Sequence, residues 1–252
     1  MTRIAVIGDV HGHAAELKKL LKKIEAHQVD RVIFLGDLVD RGPASEECLR
    51  IARTWMFKAR CGQYRHFEVV KGNHEDAHAR EWLGLPKPGY STTCRSSDPH
   101  LTARLSIEEL EWLDQLPRYR SIPEMGLLLV HGGIHPSMRA PADLDVRVLR
   151  CRYLSEKGEM LPAFSTSPRF WADEYDGRFG FVVFGHESFG RPRFFRHALG
   201  LDGESFRSIY CAIFTDESKG VRVSKTLVEP YETPANVGAW SQGALFAGLC
   251  WG

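Results

Sequence analysis

The stretch IAVIGDVHG, residues 4–12, joins a short apolar run to a glycine and to two side chains that can bind a metal ion. The same pattern recurs in VIFLGDLVDRG, residues 32–42, and further apolar runs begin at residues 67, 127 and 181. Short runs of β-prone residues that are bounded by glycine are typical of buried strands. We therefore predict a set of buried strands, each of which ends at a polar motif.

Helical patterns lie between these runs. Leucines at helical spacing predict an amphipathic helix over 14–26, and apolar residues over 48–56 predict a second one. Ser106 and Glu109 have the spacing of a capping box and predict a third helix, which stops near Pro117. Alternation of strands and helices indicates an α/β domain, in which ligands bind at the carboxyl ends of the strands.

Composition excludes several classes of protein. The 252 residues carry 33 Lys and Arg against 32 Asp and Glu, a formal net charge of +1, so we expect neither general nucleic-acid binding nor a polybasic membrane surface. The six cysteines include no C-x-x-C pair, and the first apolar run is shorter than a signal peptide requires. The sequence predicts a cytoplasmic protein that is not bound to a membrane.

No linker divides the chain, so we predict a single domain over 1–252. Within it, the segment 84–105 begins with many Pro, Gly, Ser and Thr residues and is predicted to be a surface loop or lid. The tail over 233–252 carries no charge. We expect it to pack on the core, with a partner surface as the alternative.

The polar residues at the strand ends are metal-binding types. Six of them offer imidazole or oxygen donors: Asp9, His11, Asp37, Asn73, His131 and His186. A donor set without cysteine suits Mn²⁺, with Fe or Zn²⁺ as alternatives. Asp9 and His11 are one residue apart, so both side chains of an extended segment can bind the same ion. Six donors suffice for two divalent ions if Asp37 bridges them, and such centres ionise water and cleave phosphate esters.

Three further residues have the chemistry of a phosphate site. The planar guanidinium of Arg41 can hold two phosphate oxygens. His74 follows the proposed ligand Asn73, and we assign to it the role of general acid. Asp40 would hydrogen-bond this imidazole, fix its tautomer and keep it cationic.

The motifs GDVHG, GDLVDRG, GNHE, HGG and GH, in this order, resemble those of the calcineurin-like metallophosphoesterases. The DRG and GNHE forms resemble the serine/threonine phosphoprotein phosphatase (PPP) branch, and SPRFWADEYDGRFGFVVFGH resembles its bacterial members. The resemblance runs from Ile4 to about His186. It implies a four-layer α/β/β/α sandwich and makes Arg169 a second phosphate-binding residue, for which Arg150 and Arg152 are alternatives.

The resemblance also divides the ligands between two ions. It assigns Asp9, His11 and Asp37 to the first ion, and Asp37, Asn73, His131 and His186 to the second. His74 and Asp40 would again form the acid pair.

The leading functional hypothesis is a metal-dependent phosphatase of phosphomonoesters, with serine/threonine phosphoprotein as substrate, that uses direct attack by a metal-bridging hydroxide. The alternative is a nucleotide phosphohydrolase, such as a dinucleoside tetraphosphatase or a cyclic phosphodiesterase. A third hypothesis, a non-catalytic scaffold, is disfavoured because no predicted ligand is missing.

Two departures from the family pattern concern the substrate. Glu187 and Ser188 follow the last GH where Thr-Pro is common, and Asp202, Gly203 and Glu204 stand where Asp-Thr-Gly is usual. A third feature, the mixture of arginine and phenylalanine over 191–196, predicts either nucleic-acid binding or, preferably, a rim beside the site.

Overall fold

The apolar runs predicted as strands form the interior of two sheets in the computed structural model of the protein. The structure describes residues 2–63, 66–86, 98, 100–162, 165, 167–203, 207–217 and 220–230. In chain order the strands are β1 (Arg3–Ile7), β2 (Arg31–Phe34), β3 (His66–Val69), β4 (Tyr119–Ile122), β5 (Leu127–Val130), β6 (Phe181–Phe184), β7 (Arg193–Phe194), β8 (Ala198–Gly200), β9 (Ser208–Glu217) and β10 (Gly220–Pro230). The α-helices are α1 (Ala14–Glu25), α2 (Ser45–Arg60), α3 (Asn73–Trp82), α4 (Leu101–Arg104), α5 (Ile107–Gln115) and α6 (Trp171–Glu174).

Each sheet combines parallel and antiparallel strands. The first has the order β10-β9-β1-β2-β3, in which β1, β2 and β3 are parallel. The second has the order β4-β5-β6-β8-β7, in which β5, β6 and β8 are parallel. Parallel strands end at a common edge, so the polar motifs that follow β1, β2 and β3 come together there, as do those that follow β5 and β6.

Alternation along β1 shows how the layers are joined. Ile4 and Val6 pack into the core between the two sheets, where they meet Leu127, Leu129 and other side chains of the second sheet. The intervening Ala5 packs on the opposite face, in the core shared with helices α1 and α2. Successive side chains of a strand point to opposite faces, so one strand serves both cores.

The outer face of the second sheet carries a thinner helical layer. The 3-10 helix Val146–Leu149 packs on this face together with α6. Trp171 of α6 is buried, and its ring lies 4.9 Å from that of Phe184 in β6. The predicted α/β/β/α sandwich is therefore confirmed, with a fourth layer of short helical turns.

The predicted strands are all present, and the three predicted helices correspond to α1, α2 and α5. Ser106 accepts a hydrogen bond from the Glu109 backbone N–H, which confirms the capping box. The sequence analysis missed α3 and β4, together with the strands after β6.

The predicted loop over 84–105 needs a correction at its end. Residues 101–104 form α4, because Leu101 is buried in the core beside α3 and α5. Residues 87–97 and 99 of that prediction, and the whole tail over 233–252, lie outside the described residues. Within the described part of the chain, no helix has the length and apolarity of a membrane span.

Candidate metal centre

Backbone strain marks the loops that carry the predicted ligands. Five residues other than glycine have positive φ there: His11 (46°), Asp37 (50°), Asp40 (69°), Arg41 (67°) and His186 (67°). Such conformations are uncommon outside glycine and collect at functional sites, where surrounding contacts hold them. One such contact is the carbonyl of Asp37, which accepts hydrogen bonds from the backbone of Val10 (3.0 Å) and His11 (2.8 Å).

A buried carboxylate fixes the loop after β2. Glu75 in the first turn of α3 is fully buried and accepts three backbone N–H bonds, from Asp37 (2.7 Å), Leu38 (2.7 Å) and Gly72 (2.9 Å). The loop after β2 and the loop that leads into α3 therefore both depend on the Glu75 side chain. Asp37 in turn accepts a bond from the backbone N–H of His74 at 3.0 Å.

Three predicted ligands converge on a fourth, His131. Its Nε2 lies 2.8 Å from Oδ1 of Asn73, 3.1 Å from Nδ1 of His186 and 3.2 Å from Oδ2 of Asp37. All four side chains are buried. This cluster corresponds to the set that the resemblance assigns to the second ion.

The remaining predicted ligands lie on the other side of Asp37. Nε2 of His11 is 3.6 Å from Oδ2 of Asp37 and 3.7 Å from Oδ2 of Asp9. Nε2 of His74 lies 3.8 Å from the same oxygen of Asp37. Asp37 thus belongs to both clusters, as a bridging ligand must.

The orientation of two imidazoles tests whether the clusters suit a cation. Nδ1 of His131 donates to the carbonyl of Leu35 (2.8 Å), and Nδ1 of His11 donates to that of Val39 (2.9 Å). In a neutral imidazole each Nε2 then carries a lone pair, the arrangement found in metal-binding histidines. Nε2 of His11 is buried and has no hydrogen-bond partner among the described residues. A lone pair that faces two carboxylates is repelled unless a cation lies between them, so the donor set fits divalent ions.

The buried carboxylates of Asp9, Asp37 and Asp202 also fit a site for cations. Burial and the neighbouring carboxylate of Asp202 raise the pKa of Asp9 well above its usual value. Burial also raises the pKa of Asp202, to about 6. Burial alone would raise the pKa of Asp37, but the charges of His131 and His74 outweigh it and hold that pKa well below its usual range. Positive charge from bound metal would stabilise all three anions.

Close approach explains the glycine before the last histidine. A Cβ at Gly185 would collide with Oδ1 of Asp9. Without it, the backbone N–H of His186 reaches both carboxylate oxygens of Asp9, each at 3.1 Å. This contact joins a loop of the second sheet to a predicted ligand of the first.

The predicted acid pair is present and has a third member. Nδ1 of His74 lies 2.6 Å from Oδ2 of Asp40, and Nε2 of His78 lies 3.2 Å from Oδ1 of the same carboxylate. Burial opposes ionisation of Asp40, but the two imidazole hydrogen bonds outweigh it and hold its pKa well below the usual range. Nη2 of Arg41 is 3.5 Å from Nε2 of His74, which places this guanidinium beside the acid.

The three candidate arginines have different surroundings. Nη2 of Arg152 donates to the carbonyl of His186 at 2.8 Å. Nη2 of Arg150 donates to the carboxylate of Asp76 at 2.7 Å and lies 3.4 Å from the carbonyl of Asn73.

Arg169, which the resemblance favours, is bound elsewhere. Its Nε and Nη2 donate to Glu174 at 2.6 and 2.7 Å, and its Nη1 donates to the carbonyls of Ser155 and Glu156. No contact joins it to the predicted ligands that the structure describes.

Sequence reasoning missed two functional side chains. The sequence analysis assigns no role to Glu75, the last residue of the GNHE motif, or to His78. The signal for His78 was its spacing: it lies four residues after His74, so on a helix both rings share one face.

Comparisons with known proteins place the chain in a family. The sequence model of the family described as calcineurin-like phosphoesterase matches residues 2–204. A symmetrical bis(5'-nucleosyl)-tetraphosphatase of Chromohalobacter salexigens is 34% identical over 177 residues, which cover 68% of this chain but only 60% of that relative. The asymmetrical bis(5'-nucleosyl)-tetraphosphatase PrpE of Halalkalibacterium halodurans is 31% identical over 214 residues, 78% of this chain and 83% of the relative.

The fold is similar to that of a solved structure provisionally named a diadenosine tetraphosphatase. That structure matches with a TM-score of 0.69 and 25% sequence identity, over 92% of this chain and 95% of the other.

Proposed function

The chain belongs to the calcineurin-like metallophosphoesterase family, and from this we propose that it hydrolyses dinucleoside polyphosphates, with a bis(5'-nucleosyl) tetraphosphate as substrate. The observation that carries the proposal is that the two relatives described above, each more than 30% identical to this chain, are named as bis(5'-nucleosyl)-tetraphosphatases. The predicted phosphoprotein substrate has no support in the names of these relatives. The nucleotide alternative of the sequence analysis is therefore preferred.

We assign Asp9, His11 and Asp37 to one metal ion, and Asp37, Asn73, His131 and His186 to the other. When bound, the two ions would supply the positive charge that ionises a water molecule and stabilises the phosphate in the transition state. Manganese, with iron or zinc as alternatives, is the metal predicted from the oxygen and imidazole donors. The cytoplasmic location likewise stays a prediction.

The chain's own residues position the phosphate and move the proton. Arg41, beside His74, binds non-bridging oxygens of the phosphate that is attacked. The imidazolium of His74 donates its Nε2 proton to the leaving phosphate oxygen, and Asp40, which accepts a hydrogen bond from Nδ1–H, stabilises the positive charge of the ring before that transfer. His78 shares the Asp40 carboxylate and so fixes its orientation.

Product analysis tests the proposal. The purified protein, supplied with manganese, is incubated with diadenosine tetraphosphate, and the nucleotides are separated by chromatography. Two molecules of ADP would indicate symmetrical cleavage, whereas ATP and AMP would indicate asymmetrical cleavage. A phosphoserine peptide and p-nitrophenyl phosphate serve as comparison substrates. A kcat/KM for the phosphopeptide that exceeds the value for diadenosine tetraphosphate would overturn the proposal and restore the phosphoprotein hypothesis.

A further inference from the structure

An edge strand brings an arginine to the site end of the second sheet. Arg193 of β7 pairs with Gly200 of β8, and Gly200 is level with Phe184, the last residue of β6. Two residues beyond these strand ends lie His186 and Asp202, both buried at the metal centre. Neighbouring strands are about 4.8 Å apart, so the backbone of Arg193 is roughly 10 Å to the side of the strand end that leads to His186.

The guanidinium of Arg193 rests on two aromatic rings. Its Cζ lies 5.0 Å from the ring centroid of Phe189 and 4.7 Å from that of Phe195. Both rings pack against Phe170, with centroids 5.5 Å away. Gly200 permits this packing, since a Cβ there would lie 2.9 Å from the ring of Phe189. We call Phe170, Phe189 and Phe195 the aromatic platform.

This stacking determines which atoms of Arg193 are available. A guanidinium that lies over ring faces presents its N–H groups at the edges of the plane, where they can bind a phosphate in a bidentate manner. The side chain is exposed and forms no ion pair with a described carboxylate. The guanidinium covers the faces of Phe189 and Phe195 on which a nucleobase could stack, so this surface suits an anion better than a nucleobase.

A continuous wall joins the aromatic platform to the metal centre. The ring of Tyr153 lies 5.2 Å from that of Phe170, and its hydroxyl donates to Glu187 at 3.2 Å. The other oxygen of Glu187 is 3.2 Å from Nε of Arg152, and Nη2 of the same arginine donates to the carbonyl of His186. Glu187, one of the residues that depart from the family pattern, thus builds part of the wall.

The charges of this wall are mostly positive. Arg152 is the ion-pair partner of Glu187, whereas Arg193 has none among the described residues. Burial, together with the neighbouring carboxylate of Glu187, raises the pKa of Tyr153 to about 12 against the opposing charges of Arg152 and Arg193.

We propose that Arg193, held by the aromatic platform, binds the phosphates of a polyphosphate chain that extend beyond the metal centre. The inference rests on the proposed function and deepens it: it names the residue that favours a dinucleoside polyphosphate over a substrate with a single phosphate. The neighbouring Arg196 is exposed but makes no ring contact in the part of the chain that the structure describes, so it is a matched control.

Steady-state kinetics with manganese test the proposal on four proteins: wild type, Arg193→Gln, Arg193→Lys and Arg196→Gln. The measured quantity is the ratio of kcat/KM for diadenosine tetraphosphate to that for p-nitrophenyl phosphate. We expect Arg193→Gln to lower this ratio by about tenfold, chiefly through a higher KM for the tetraphosphate. Arg193→Lys should restore part of the loss because it keeps the charge but lacks the planar fork. Arg196→Gln should keep the wild-type ratio.

Binding of inorganic tripolyphosphate provides a second measurement. Its inhibition constant against p-nitrophenyl phosphate should rise in Arg193→Gln and not in Arg196→Gln. A ratio unchanged in Arg193→Gln, or an equal loss in Arg196→Gln, would overturn the inference while leaving the proposed function intact. The same assay is run with a single-stranded oligonucleotide as inhibitor. If Arg193→Gln weakened inhibition by the oligonucleotide but not by tripolyphosphate, the surface would be assigned to nucleic acid, and the inference would also be overturned. A wild-type protein inactive on diadenosine tetraphosphate would overturn both proposals.

Discussion

Nδ1 of His74 lies 2.6 Å from Oδ2 of Asp40, and both side chains are buried. The carboxylate fixes which ring nitrogen carries the hydrogen on that side, and the opposite nitrogen faces Asp37 at 3.8 Å. A proton on Nε2 is therefore directed to the place where the two ligand clusters meet. The same carboxylate is shared with His78 at 3.2 Å, so its own orientation is fixed from two sides.

His74→Ala should lower turnover of an alkyl phosphate by at least about 100-fold, the usual scale of general acid catalysis. The loss on p-nitrophenyl phosphate should be smaller, because that leaving group requires less help from an acid. Metal content, measured by elemental analysis, should stay at the wild-type value. His66→Ala, at an exposed position, is the control. Near-normal turnover of the alkyl phosphate by His74→Ala would contradict the assigned role.

Asp40→Asn should destabilise the protein in a pH-dependent manner. The pKa of Asp40 is lower in the folded state than the unfolded value of about 3.9, so its contribution to the free energy of unfolding is complete above that value. It is lost as the pH falls through the folded pKa. Urea denaturation of the metal-free proteins should show a difference on the order of 2 kcal/mol near pH 7 that shrinks below about pH 4.

The control for this pH series is Asp173→Asn, at an exposed position. Its difference from wild type should stay small throughout. A constant penalty for Asp40→Asn from neutral to acidic pH would show that the ionised carboxylate is not what stabilises the fold.

Glu75→Gln should weaken both the fold and metal binding. The carboxylate accepts backbone bonds from Asp37, Leu38 and Gly72, and an amide would turn an N–H donor toward at least one of these N–H groups. The expected loss in the free energy of unfolding is about 2–3 kcal/mol, the cost of unsatisfied buried donors. Urea denaturation measures it, with the exposed Glu111→Gln as control. Equal stability of the two variants would show that the loop after β2 does not depend on Glu75.

Chelation should lower the melting temperature. Asp9, Asp37 and Asp202 are buried close together, and without cations their charges repel one another. An ion present at about 100 times its Kd adds about 2.7 kcal/mol, which corresponds to roughly 5–10 °C for a chain of this size. Calorimetry with EDTA, and again after addition of manganese, measures the change. Asp37→Ala removes the shared donor and should show little response to manganese; an equal response in both proteins would argue against a centre built on Asp37.

The spatial proximity of the proposed metal ligands could be predicted because each follows, within four residues, a strand whose apolar residues are contiguous in the sequence. Asp9 and His11, for example, follow β1 within four residues, and parallel strands bring such ends to one edge. The role of Glu75 could not be predicted, because its partners are backbone N–H groups of a loop 37 and 38 residues away. The ion pair between Arg152 and Glu187 is a contact of the same long-range kind, which no local pattern specifies.

The choice of the second phosphate-binding arginine gives the last prediction. Arg152 contacts the backbone of the ligand His186, whereas the guanidinium of Arg169 is bound by Glu174 and by two backbone carbonyls. Arg152→Gln should therefore lower kcat/KM for diadenosine tetraphosphate and for p-nitrophenyl phosphate alike, by about tenfold or more, because it removes a cation beside the phosphate. Arg169→Gln should change either value by less than about threefold, within the range of an indirect effect. A larger loss in Arg169→Gln than in Arg152→Gln would mean that Arg169 leaves Glu174 when substrate binds, and would restore the role that the family resemblance gives it.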